Sequence, residues 1–133
     1  MEEILERLRE LAEDVATPLE LPDEEQLVTA QEELLLPIPR DFRYYLLTAS
    51  DVIYGHLEPA TIADPHLHTY LPEMAATAWS YGLPRYLLPI CEINAGYYCI
   101  DPDGVVLLWE KGELSEKQWD TLWEWIAEVW LEE

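Results

Sequence analysis

Three histidines fall close together in a chain that has no others: His56, His66 and His68, with Glu58 and Asp64 among them. Imidazole and carboxylate are the ligand types a divalent metal takes, so these residues are the one place where metal-assisted chemistry could assemble. The spacing argues against it, because His-x-His in a loop beside Pro65 matches no helical or hairpin ligand pattern. Cys91 and Cys99 cannot close a tetrahedral zinc site between them. They could oppose each other across a hairpin turning near Asn94-Ala95, and in a reducing compartment buried free thiols are expected.

Nucleophilic chemistry has few candidates. The only serines are Ser50, Ser80 and Ser115, and none sits in a nucleophile elbow. Each of the five glycines falls at a predicted turn, which leaves none for a phosphate-cradling loop. Carboxylates could act as an acid/base pair, but with 28 of them any chance pairing is expected. The residues therefore imply no catalytic site, no cofactor and no bound metal. A metal-dependent enzyme built on the histidines is the weakest reading.

Binding is better supported by the charge. The 28 acids face 7 bases, for a formal net of −21 in 133 residues, while half the residues are apolar. Such a chain can bury a core and still carry a strong negative field, which repels nucleic acid and anionic membrane and favours a basic protein partner. The field is concentrated at the ends. Residues 1–33 hold 12 acids and 2 bases, and residues 110–133 hold 8 and 2. Tyr44, off the buried stripe of its helix, is a candidate partner-binding residue, as are Glu124, Trp125, Glu128 and Glu132 of the last helix. Trp125 enters because it falls outside that helix's apolar stripe, where an exposed indole beside acid would make a contact anchor.

The elements that must position these residues follow from apolar spacing. Residues 1–16 form an amphipathic helix through Ile4, Leu5, Leu8, Leu11, Ala12 and Val15, stopped by Thr17-Pro18. Asp23, with Gln26 at the capping-box position, opens a second helix running to about Leu35. Pro37-Ile38-Pro39 ends it, and residues 40–49 form a third, burying Phe42, Tyr45 and Leu46. Two short strands are predicted at 51–54 and near 56–59. A fourth helix starts at Leu71-Pro72 and stops at Gly82. The period then changes to two, so that residues 86–93, 96–101 and 105–110 read as an antiparallel meander turned at Pro102-Asp103-Gly104. The third strand is apolar on both faces, which requires cover on both or leaves one as a binding surface. Pro89 marks an edge position or a bulge. Ser115 and Gln118 read as the capping box of a last helix with Trp119, Leu122, Trp123, Ile126 and Trp130 on its stripe.

The pattern is α+β, a single domain over 1–133, with an antiparallel or mixed sheet packed by N-terminal, middle and C-terminal helices. Met1-Glu2-Glu3 opens no secretory signal and no apolar run is long enough to span a bilayer, so a cytoplasmic protein is expected. The sequence does not set its oligomeric state.

Two blocks carry a resemblance. The first is Ile38-Pro39-Arg40-Asp41-Phe42-Arg43-Tyr44-Tyr45-Leu46-Leu47. The second runs from Tyr81-Gly82-Leu83-Pro84-Arg85-Tyr86-Leu87-Leu88-Pro89-Ile90 through Gly96-Tyr97-Tyr98-Cys99-Ile100-Asp101 to Gly104-Val105-Val106-Leu107-Leu108-Trp109. With the final helix, about residues 20–131 resemble the SUKH superfamily in its Smi/Knr cell-wall-regulator-like branch. One departure stands out: the family follows its Leu-Pro helix with an Asn-Gly-type turn, and here Ser50-Asp51 occupies that place, with glycine delayed to Gly55. The resemblance implies an α+β binding domain with no catalytic residues. It also implies a role as an immunity protein that neutralises a cognate toxin, a nuclease being the basic partner the charge would suit. The alternative it implies is a regulatory or signalling interaction module without a toxin.

Overall fold

A computed structural model describes residues 1–132. Helix α1 spans Glu2–Leu11 and ends earlier than its apolar spacing predicts. The reason is tertiary: the Glu13 N–H donates to the Ile53 carbonyl at 2.8 Å, and the Glu13 carboxylate accepts from the Gly55 N–H at 2.8 Å. Residues past Ala12 thus satisfy their backbone on the 51–55 loop instead of on another helical turn. Arg9 completes the attachment. Its Nη1 donates to Asp51 Oδ2 at 2.9 Å and its Nη2 to the Thr48 carbonyl at 2.6 Å, which leaves Oδ1 as an ion-pair contact at 2.7 Å.

Helix α2 spans Glu24–Leu34, with both hydrogen bonds of the Asp23–Gln26 capping box formed. Helix α3, Arg40–Thr48, buries Phe42, Tyr45 and Leu46 as its spacing predicts. The strands expected at 51–54 and 56–59 are not formed. Ser50 Oγ donates to the Leu46 carbonyl at 2.6 Å, Asp51 turns toward Arg9, and the loop then meets the outer edge of the sheet through a single bridge, Pro59 to Cys91, with a second bridge, Thr61 to Tyr70, closing the loop on itself. Helix α4, Leu71–Ser80, packs on the first strand.

The sheet is four-stranded, wholly antiparallel and in sequence order: β1 Leu88–Ile93, β2 Gly96–Ile100, β3 Val106–Glu110 and β4 Glu113–Trp119. Pro89 lies on an edge strand at a shift in register, where its missing N–H breaks no ladder. Strand β4 replaces the start of the expected last helix. Lys111 and Gly112 both take positive φ, 54° and 81°, the geometry of a two-residue primed turn, so the chain folds straight back on β3. Ser115 Oγ accepts from the Lys117 N–H at 3.1 Å within a bulge opposite Leu108, and so caps no helix.

The true N-cap is Thr121, whose hydroxyl accepts from the Glu124 N–H at 3.1 Å. Helix α5, Leu122–Trp125, continues as a π-helical segment, Ile126–Trp130. Widened turns change which residues share a face, and Leu122, Trp125, Ile126 and Trp130 are the buried ones.

Both faces of β3 are covered. Tyr97 stacks on Trp109, and the turn after α4 closes over the pair (a Cβ at Gly82 would lie 3.8 Å from Trp109 Cζ2). On the opposite face Tyr98 meets Trp119 and Trp125 at centroid distances of 5.7 and 5.3 Å. Cys91 and Cys99 are both buried. Burial, with a smaller contribution from Asp101, pushes the Cys99 thiol up to about 12.

Candidate protein-binding surface

The C-terminal helix binds three neighbours at once. Trp123 meets Tyr44 of α3 edge to face, at 6.2 Å between centroids. Trp130 meets Tyr45 at 6.1 Å and donates its indole N–H to the Tyr54 carbonyl at 3.0 Å. At the end of the helix, Glu132 lies 3.8 Å from Arg7 of α1. The partners come from α3, the 51–55 loop and α1: aromatic packing fixes the last helix on α3, and one ion pair ties its end to α1.

Tyr44 thus lies beside the start of the last helix and Glu132 at its end. Tyr44 is 42 % exposed, and Glu124, Glu128 and Glu132 all face solvent. Glu124 is held, its Oε2 accepting from the Asp120 N–H at 3.0 Å. Trp125 is different. It was expected as an exposed indole, but it is 1 % exposed and packed between Tyr98 and Trp130. The α-helical period places it off the stripe, whereas the π-helical turns bring Trp125 and Trp130 together at 6.4 Å. Its indole N–H has no acceptor among the described residues. The aromatic that reaches the surface is Trp123, half-buried against Tyr44. The sequence placed it on the apolar stripe, and its inner side packs against the core.

The two acidic ends of the chain meet here. Helix α1 carries Glu2, Glu3, Glu6 and Glu10, all exposed, and its Arg7 is the residue that touches Glu132. Because that pair is exposed on both sides, it contributes little to stability; its interest is that it joins the two most negative segments. A cationic partner approaching this side meets the summed field of both.

The histidines gather less. His68 Nε2 lies 2.8 Å from Glu58 Oε2, both exposed, while the Asp64 carboxylate accepts from the His66 backbone N–H at 2.9 Å, an Asx turn. Among the described residues no three of His, Cys, Asp and Glu form a group that could hold a metal. Hollows lie elsewhere on the surface. One, of about 510 Å³, separates Thr17–Glu20 from the 61–67 loop. Another, of about 250 Å³, runs between the start of α3 and the ends of β1 and β2. Among the described residues no helix is long and apolar enough to cross a membrane.

A family model described as SUKH_5, SMI1-KNR4 cell-wall, matches residues 1–131. The fold is similar to a crystal structure of a protein from Pseudomonas syringae pv. tomato, at 53 % sequence identity and a TM-score of 0.97, covering 100 % of each chain. No curated protein matches.

Proposed function

This chain belongs to the SUKH family of SMI1-KNR4 cell-wall proteins, and from that premise we propose that it is a cytoplasmic immunity protein that binds and neutralises a toxin domain. The family supports a protein-interaction or immunity-type module, generally a non-enzymatic one. The observation that supports the finer reading is the Arg7–Glu132 contact, which brings the end of the acidic last helix to the acidic helix α1. Toxins that act on nucleic acid are basic where they grip phosphate, and an acidic inhibitor can occupy that surface. Tyr44 and Trp123 supply the aromatic area that such a contact uses.

The test is to co-express this chain with the toxin candidate encoded beside its gene. Protection of the host, together with a purified complex that weakens with salt, is the expected result. Absence of protection and of complex contradicts it. A regulatory interaction module is the second reading, favoured by the family's cell-wall description; it is the outcome if the chain captures a host protein and protects against no linked toxin.

A further inference from the structure

Seven cations sit among 28 acids, and chance alone would give most of them a carboxylate neighbour. Arg9 has Asp51 and Arg7 has Glu132. Arg85 donates to the Leu34 carbonyl at 3.1 Å and lies 3.6 Å over the Trp79 ring. Arg40 and Arg43 are exposed, three apart on α3 and therefore on one face, and no carboxylate among the described residues lies within ion-pair distance of either. Lys111 and Lys117 are unpaired as well, but they lie out on the β3–β4 hairpin beside no hollow containing either arginine.

What sets the two arginines apart is the groove they rim. Its accessible apolar walls are Leu36, Pro37 and Pro102, over a base closed by the buried Ile38, Leu88 and Ile100. Tyr86, 54 % exposed, stands on the opposite rim. The one acid in the lining, Asp101, is engaged: its Oδ1 accepts from the Asp103 and Val105 N–H groups at 2.9 and 3.0 Å. Three prolines in the walls, Pro37, Pro39 and Pro102, fix the backbone on either side, so little ordering is needed on binding.

We propose that this groove is the docking site for an extended segment of a partner protein that carries one aspartate or glutamate between apolar residues. The carboxylate is received by the Arg40 and Arg43 guanidinium groups, and the apolar neighbours lie against Leu36, Pro37 and Pro102 in the walls. Guanidinium forks suit a planar carboxylate. A phosphate dianion is disfavoured because the field of a −21 protein repels it about twice as strongly as a monoanion. A second copy of this chain is disfavoured for the same reason. The inference stands independently of the toxin reading, since any partner with such a segment satisfies it. Where the partner is basic overall, one acidic side chain in an arginine-rimmed groove sets the register of a contact that long-range attraction alone leaves loose.

The experiment is selection of a randomised nonapeptide library displayed on phage against the purified full chain at 0.15 M NaCl. The expected winners share an Asp or Glu flanked by apolar residues, lose at least tenfold in affinity against the doubly substituted R40Q/R43Q protein, and bind K111Q unchanged. Circular dichroism confirms that the variants fold, and Tyr86→Ala provides a second lesion of the rim, expected to weaken the same peptides. Winners without an acid, winners indifferent to R40Q/R43Q, or no enrichment at all overturn the proposal. So does displacement of the peptides by 10 mM inorganic phosphate, which reassigns the groove to phosphate, or a change of oligomeric state in R40Q/R43Q, which reassigns it to a second copy.

Discussion

The ring of Tyr44 stands edge to face against Trp123, 6.2 Å between centroids, and joins α3 to the C-terminal helix at a surface both residues reach. An aromatic pair of this geometry contributes about 0.5–1.5 kcal/mol beyond its area. Urea unfolding of Tyr44→Ala, Trp123→Ala and the double variant is expected to give a coupling energy in that range. Tyr44→Ala alone is expected to cost stability modestly while lowering affinity for the partner at least tenfold. Additive losses with unchanged partner affinity would remove the pair from the binding surface.

Gly96 begins β2 where a side chain has no room. A Cβ there overlaps the Trp109 carbonyl oxygen and comes within 2.9 Å of Glu110 Cα, both of them backbone atoms of the next strand. Gly96→Ala is therefore expected to cost at least about 3 kcal/mol, the upper end of overpacking, because a backbone cannot rotate away. Gly112→Ala is the control. It meets nothing within 4 Å and suffers only its φ of +81°, about 1–2 kcal/mol. Thermal unfolding of the two variants should rank them in that order.

Arg9 substitutes for a turn signal that the chain lacks. No Asn-Gly turn follows α3, and Asp51 is instead anchored across the fold by Arg9, whose own proton is held more tightly by the Asp51 hydrogen bond. Arg9→Ala is expected to cost about 1–3 kcal/mol, since it strips both the half-buried Asp51 carboxylate and the Thr48 carbonyl of their donor. Asp51→Asn should cost less than Arg9→Ala, because it keeps a side-chain oxygen for Nη1. Equal stability of all three proteins in denaturant titration would mean that the loop does not need α1.

Several buried acids hold their protons more tightly in the fold. Burial pushes Cys99 up to about 12; burial, then Glu33, pushes Tyr70 up to about 12; and burial raises Tyr45 and Tyr97. Each is neutral when protonated, so its contribution to stability is complete below its ordinary pKa and is lost as pH rises through the folded value. Stability at constant ionic strength should thus be flat on the alkaline side to about pH 9 and fall between 9 and 12. Cys99→Ala should shallow that slope. A decline complete by pH 8 would contradict the assignment.

How far the sequence reached varies by segment, for physical reasons. Helices α2 to α4 were legible because their caps and breakers are local: the Asp23–Gln26 box, the Pro37-Ile38-Pro39 break and Pro72 in the first turn. The meander was legible from its period of two. The 111–130 region was not. Ser115 and Gln118 imitate a capping box, and the positive φ of Lys111, a residue that seldom adopts it, completes a turn no motif announces. A π-helical segment follows no α period, so Trp125 enters the core, while Trp123 is half-buried at its edge. Of the candidate surface, the acids and Tyr44 were visible in the sequence. Trp123, the Arg7–Glu132 junction and the arginine-rimmed groove depend on contacts between distant segments, which spacing does not encode.

The most direct measurement is the association rate of the purified chain with any toxin domain found encoded beside its gene, by stopped flow at 20 and 500 mM NaCl, for wild type and for Glu124→Lys/Glu128→Lys. Steering by the acidic side requires the wild-type rate to fall at least tenfold at high salt, and the lysine variant to be correspondingly slow at low salt. A rate indifferent to both salt and substitution, or no complex at all, would contradict an acidic face that captures a basic partner.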